Sequence, residues 1–326
     1  MNPLANLPRP IYRRRSRRLL ILRAIVVLVL VGGLLGAGAV ATNAFGVGIR
    51  FEHLIARVAL IINPPPDRPT APTIVVPVTH TDPPDDESLP PVAEESGSPQ
   101  PSASAKPSPG AKPTPTPPVR KPVDVNLLSN PKKYFVSELQ NDLCAPAGVQ
   151  TVLAILHLAD TSDAFQHELE SRIGEWESYG DSHNGGWGPG AMVNALDAYG
   201  AHGYEIRAYG SRFDAVLDSA IAISRYHKPV ILLAWRGAHT WVMTGYRATA
   251  DPLQFPVVQM LGAYIMDPWY PRISSIWGPS DPPGTFQDQS EMRRNFLQWK
   301  RPEGSYPDRD GNYIAILPTT PLKSGG

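Results

Sequence analysis

Residues 64–122 set the limits on what the rest of this chain can become. The stretch is dense in Pro, Ser, Thr, Ala, Asp and Glu, and its clearest patch is the Pro-Thr-Pro-Thr-Pro-Pro run at 113–118. Such a composition buries too little apolar surface to offset the entropy of ordering, and its prolines hold it extended. It is expected to be a disordered linker, reaching at most roughly 180 Å at ~3.1 Å per residue. Only residues 123–326 are then left to build a sizeable core, and a segment of that size suits one domain.

The other side of the linker has a different character. Residues 1–18 carry Arg13, Arg14, Arg15, Arg17 and Arg18. Residues 19–45 are apolar apart from Arg23, Thr42 and Asn43, and the uninterrupted part, 24–41, is about the minimum for a helix that crosses a bilayer. The basic residues before it place the amino terminus in the cytoplasm and the remainder outside. The expectation is a single-pass signal-anchor with an extracellular C-terminal domain. The alternative is cleavage after Ala41, where Ala39-Val40-Ala41 has the small-x-small pattern, and secretion. Residues 46–63 place Phe51, Leu54, Ile55, Val58, Ala59, Ile61 and Ile62 at amphipathic spacing. They form either a surface-lying or partner-pairing helix or a plain stem. The formal net charge is zero, so the overall balance points to neither nucleic acid nor an acidic partner.

In the folded end, helical spacing and caps predict helices over 144–158, 164–173, 191–199, 213–226 and 290–299. Strands are predicted over 204–209, 229–235, 239–247, 257–260, 263–266 and 312–317, and Tyr134-Phe135-Val136 reads as a short strand or cover. Helices first and strand following strand afterwards indicate an α+β domain with a mostly antiparallel sheet.

The chain has one cysteine, Cys144. Asn141 or Asp142 suits a cap before it and Pro146 suits a first turn, so Cys144 is placed at the amino end of a helix whose far side is buried. The dipole and the unpaired N–H groups there favour a thiolate. The alternative is a small buried residue opening a core helix. A cysteine nucleophile needs a base and usually a group to orient that base. Of the eight histidines, His239 opens a strand after Gly237-Ala238, where small residues leave room for a substrate backbone. Asp267 ends the strand at 263–266. If the two strands are neighbours, both side chains lie at strand ends on one edge of the sheet. An ordinary strand-end histidine and an Asp-Pro turn are the plainer alternatives for these two. The glycine-rich loop 185–190 lacks the frame and lysine of a phosphate loop, and Trp187 is a candidate substrate platform. No metal-ligand cluster stands out, so no metal and no cofactor are expected.

Taken together, Cys144 opening a helix, the strand Gly-Ala-His-Thr-Trp-Val-Met-Thr-Gly-Tyr at 237–246 and Ile-Met-Asp-Pro at 265–268 resemble the C39-like branch of the papain-like cysteine peptidases. The resemblance covers roughly residues 134–317. It implies a papain-like fold, in which a helical half with the nucleophile helix packs on the sheet. It also implies Cys144 as nucleophile, His239 as general base and acid, and Asp267 as the group orienting the histidine. Two positions depart from the pattern. The family's oxyanion glutamine usually lies six positions before the cysteine, where this chain has Glu138, which has no proton to donate when ionised; Gln140 is the nearer amide and the expected donor. Ala145 stands where glycine is common. No ATP-binding motif is present, so the substrate of the transporter-fused peptidases is not inherited.

The expected protein is thus a membrane-anchored, extracytoplasmic, monomeric cysteine peptidase or amide hydrolase acting on a peptide or protein. The alternatives are a catalytically degenerate papain-like module that binds peptide or cell-wall material, and a transglutaminase-like acyl transferase.

Overall fold

The computed structural model describes residues 66–82, 119–183, 186–300 and 304–321. The chain divides into two units, Met1–Pro64 and Pro65–Gly326. The expected basic tail, signal-anchor and stem all lie in the first and outside the described residues, as does 83–118 of the linker. Among the described residues no helix is long and apolar enough to cross a membrane.

The second unit combines helices with a sheet. Its strands are β1 (Thr73–Val76), β2 (Val123–Asn126), β3 (Tyr204–Tyr209), β4 (Val230–Leu233), β5 (His239–Ala248), β6 (Met260–Met266), β7 (Ile273–Ser274), β8 (Gly278–Pro279), β9 (Thr285–Asp288) and β10 (Tyr313–Pro318). Its helices are α1 (Cys144–Ile155), α2 (Asp163–Ser171), α3 (Pro189–Ala198), α4 (Arg212–Tyr226) and α5 (Gln289–Asn295). The main sheet runs β1-β3-β10-β4-β5-β6-β9, with β2 also paired to β5, and β7 and β8 form a separate hairpin. Pairing is antiparallel except between β1 and β3.

Both faces of this sheet are covered. Ile231 and Leu233 of β4, with Ile314 and Ile316 of β10, join a cluster containing Val149 and Leu153 of α1 and Leu196 of α3. Val230 and Leu232, with Tyr313, Ala315 and Leu317, join the opposite cluster with Val216, Ala220 and Ile223 of α4 and Met292 of α5. That is why the sequence around β4 is a continuous apolar run rather than an alternating one: successive side chains serve two different cores. The nucleophile helix thus packs on the mostly antiparallel sheet as the resemblance implied, and further helices cover the opposite face. α1 and α3 pack on one face, and α4 and α5 on the other.

Several expectations need correction. Residues 66–82, assigned to the linker, fold onto the domain. Thr73, Ile74, Val75 and Val76 pair in register with residues 206–209 of β3. Four β-branched residues favour a strand, and at a sheet edge the flanking Pro72 and Pro77 cost no ladder bond. The segment is then fastened to the start of α4. Asp214 accepts from the backbone N–H of Thr79 (2.9 Å) and of His80 (3.1 Å), while Asp82 accepts from the N–H groups of Arg212 and Phe213. Composition alone had hidden this, because the buried partners come from residues more than 100 positions away. Residues 134–136 are not a strand; a 3-10 turn, Pro131–Lys133, precedes them. Of the expected strand at 257–260 only Met260 is extended, and it opens β6, which absorbs the expected strand at 263–266 and whose pairing with β5 shifts register at Arg247/Ala248. Strand β9 was not foreseen.

Candidate active site

Cys144 is the first residue of α1 and is half-buried. The helix begins without a side-chain cap; Asn141 and Asp142, the expected caps, instead lie in a turn closed by Leu143 N–H to Gln140 O (3.2 Å). The first-turn N–H groups are thereby left to whatever approaches the thiol. Ten residues from Ala145 to Ala154 are buried, which fixes the helix against β5.

The approach to β5 is close. A Cβ on Gly148 would sit 2.4 Å from Thr240 Cγ2, and Thr240 follows His239 directly. Gly148→Ala is therefore expected to push α1 off β5, to destabilise the domain by about 1–3 kcal/mol and to slow alkylation of Cys144. Adding Thr240→Ser, which removes the clashing methyl, should restore most of the loss in a thermal melt; no recovery would mean that another contact is responsible.

His239 opens β5, and β6 pairs with it antiparallel, with Val242 opposite Met266. This register brings His239 and Asp267 to the same end of neighbouring strands. The His239 Nε2 to Asp267 Oδ1 distance is 2.6 Å, and the same oxygen accepts from the Trp269 N–H at 2.9 Å. With Nε2 engaged, Nδ1 remains for Cys144, whose sulfur lies within 4.8 Å of a ring nitrogen. His239 and Asp267 are both buried, at 3% and 6% exposure, so their interaction is little screened. Burial works against charge on His239, but the Asp267 carboxylate and Cys144 outweigh it and raise the imidazole from 6.5 to about 10.

An aromatic wall encloses the imidazole. Trp235 stacks on it at 4.0 Å between centroids, Trp277 stacks on Trp235 at 5.8 Å, and Trp269 meets the His239 ring edge-on at 6.5 Å. The turn that delivers Trp235 has φ of 52° at Trp235, 63° at Arg236 and 82° at Gly237. Left-handed tryptophan and arginine cost of order 1–3 kcal/mol each; here the conformation places the indole flat on the histidine. The small residues before His239 do not leave room for a substrate backbone. A Cβ on Gly237 would lie 2.3 Å from Trp299, so that space holds an indole.

Glu138 is the group beside the pair. One donor atom each from Glu138, Cys144 and His239 lie within 4.8 Å of one another. The glutamate is 2% exposed; Oε1 accepts from Arg272 Nη1 at 2.9 Å, and Oε2 is buried without a hydrogen-bond partner. Burial is the main reason its acidity is weakened to about 7, with His239 and Arg272 acting the other way and Asp267 reinforcing burial. This spacing is short enough for a metal ion, and Arg272 already places a positive charge at Glu138. The sequence had not singled out this trio as a possible metal-ligand set.

Gln140, the expected oxyanion donor, is exposed. Trp187 is not a free platform: it packs on Trp176 at 5.6 Å and donates to Glu170 at 2.7 Å. The fragment 308–311, which has an acidic spacing, belongs to a turn whose Arg309 is paired with buried Asp181 at 2.7 Å. Arg272 and the Trp235 stack were not anticipated. Nothing local in the sequence marks them, since both depend on pairing between distant segments.

No family model matches the sequence, and no curated protein does. Among solved structures, the crystal structure of a double glycine motif protease from an AMS/PCAT transporter, in complex with the leader peptide, aligns with 57% of this chain and 91% of its own. The identity is 16% and the TM-score 0.30. A likeness of that degree leaves the chemistry of the site to rest on its own geometry.

Proposed function

We propose that this protein is a papain-like cysteine peptidase or related amide hydrolase, held at the outer face of a membrane by residues 19–45. Cys144 attacks the carbonyl carbon, His239 receives the thiol proton and returns it to the leaving amine, and Asp267 orients and charges His239. The observation that carries this reading is the buried His239–Asp267 hydrogen bond with the Cys144 thiol set within 4.8 Å of the imidazole. An imidazolium favoured by Asp267 and set beside the sulfur is the setting in which a cysteine is activated as a nucleophile.

Alkylation of the full-length chain by iodoacetamide, followed against pH with and without His239→Ala, tests the pair. The native protein should alkylate rapidly well below the free-cysteine value of ~8.5, and the variant should be slower by about 100-fold near pH 6.5. Equal, slow rates that titrate as in free cysteine would point instead to a module that binds peptide or wall material without turnover. Amine incorporation into a glutamine-bearing acceptor would identify transglutaminase-like transfer.

A further inference from the structure

Addition of a thiolate to a carbonyl puts negative charge on oxygen, and that charge needs preorganised donors. The uncapped start of α1 offers the backbone N–H of Cys144 as one. The exposed Gln140 is not held for the role, whereas a buried carboxyl group stands within 4.8 Å of both the nucleophile and the base. We propose that Glu138, as a neutral carboxylic acid, is the second oxyanion donor, with the proton on its unpartnered Oε2.

Several observations converge on that atom. Arg272 donates to Oε1, which makes Oε1 the acceptor and leaves Oε2 to carry the O–H. A buried Oε2 without any partner is costly as an anion and incomplete as an acid. An oxyanion forming on the substrate completes it. A donor sits 2.7–3.1 Å from the oxyanion it serves, so a Glu138 carboxyl with an oxygen within 4.8 Å of the sulfur leaves room for the carbonyl oxygen between them. The group is also held in place. Glu138 N–H donates to Pro268 O at 3.0 Å, and Ser137 Oγ donates to Tyr270 O at 2.7 Å. Leu139 N–H donates to Gln166 at 2.8 Å, and Arg272 Nη2 donates to Leu139 O at 3.1 Å.

The charged surroundings decide when the acid is present. His239 from β5 and Arg272 from the loop after β6 favour the anion; burial and Asp267 favour the acid, and Cys144 faces the group from α1. The balance lies at about 7, so the donor is available below that pH and lost above it.

In the step itself, the sulfur lone pair forms the S–C bond while the carbonyl π pair moves to oxygen. Glu138 shares its proton in a hydrogen bond without giving it up. Collapse of the intermediate expels the leaving group, which takes the proton from His239 where it needs one. Water then hydrolyses the thioester with His239 as base.

This assignment rests on the Cys144–His239 reading, and the test separates the two. Acylation of Cys144 in the full-length chain is followed as the burst from p-nitrophenyl acetate, and alkylation is followed with iodoacetamide, which reacts at a saturated carbon and forms no oxyanion. The ratio of the two rate constants isolates the donor. In the native protein the ratio should hold below about pH 7 and fall ~10-fold per pH unit above it. Glu138→Gln, whose amide N–H replaces the acid at every pH, should give a flat ratio. Glu138→Ala should lower it by about 10²–10³ throughout. Should the alanine variant fail to fold because Arg272 loses its partner, the isosteric glutamine variant decides alone. Identical ratios and pH profiles in the native and Glu138→Gln proteins would overturn the assignment. Failure of the underlying pair looks different: native Cys144 would react slowly with both reagents, and removing His239 would change neither rate.

Discussion

Cys144→Ala should abolish acylation and turnover of every ester or amide substrate while leaving the domain folded. The second half of that expectation is what gives the first its meaning. Cys144 is half-buried at the first position of α1, not part of the apolar face that packs on β5. Alanine is the best helix former and fits wherever the cysteine backbone does. The side-chain loss is at most one hydrogen bond to His239, which would be worth about 0.5–1.5 kcal/mol. Asp267 remains the main source of positive charge on the imidazole, so the His239–Asp267 pair persists without the sulfur. A melting curve close to that of the native protein, together with loss of the p-nitrophenolate burst, is the expected result. Turnover that survives the substitution would mean that the chemistry belongs to another group.

What the sequence made legible followed the reach of its local signals. Strand 204–209 and the Ser211-capped helix α4 could be read because alternation, caps and apolar spacing are written within ten or fifteen residues. Ser162 and Ser211 do accept from the N–H groups of Phe165 and Asp214. The α+β character was equally accessible, since it depends only on the order of the elements. The layering was not. An apolar run such as Val230 to Leu233 says that both sides of a strand are buried without saying which helices cover which side. The segment 66–82 was lost for a related reason: its prolines and threonines fit a linker and an edge strand equally well, and the decision is made by β3 and by the carboxylates of Asp214 and Asp82. At the site, Cys144, His239 and Asp267 were each visible as helix-start and strand-end residues; β5–β6 pairing joins the last two, and the packing of α1 on β5 brings Cys144 to them. Glu138 was noticed only as a departure from a pattern. Its burial, its orphaned oxygen and its partner Arg272 arise from a loop some 130 residues away, and no local spacing encodes them.

Removal of the Asp267 carboxylate, proposed to orient His239, should have the next largest effect, and the form of the loss distinguishes charge from position. In Asp267→Ala, His239 Nε2 is left buried with no partner. Breaking a buried charged pair from one side typically costs 3–5 kcal/mol, and the imidazole loses both the attraction and the hydrogen bond that raise it to about 10. Acylation is expected to fall by about 10⁴, the loss seen when a triad histidine is left in the wrong tautomer. The stability loss should itself depend on pH. Because His239 titrates higher in the folded chain than its ordinary 6.5, the pair stabilises fully below that value and loses its contribution as pH rises through about 10. Native and variant melting temperatures should therefore lie farthest apart near pH 6 and converge toward pH 10. Asp267→Asn behaves differently on geometric grounds. Both His239 Nε2 and the Trp269 N–H meet the same oxygen, Oδ1, so an asparagine carbonyl can accept both bonds and hold the ring, while its negative charge is gone. That variant should keep far more activity than the alanine and show a histidine limb shifted to lower pH. Equal losses in both variants would mean that the charge of Asp267, rather than its placement of His239, carries the whole effect.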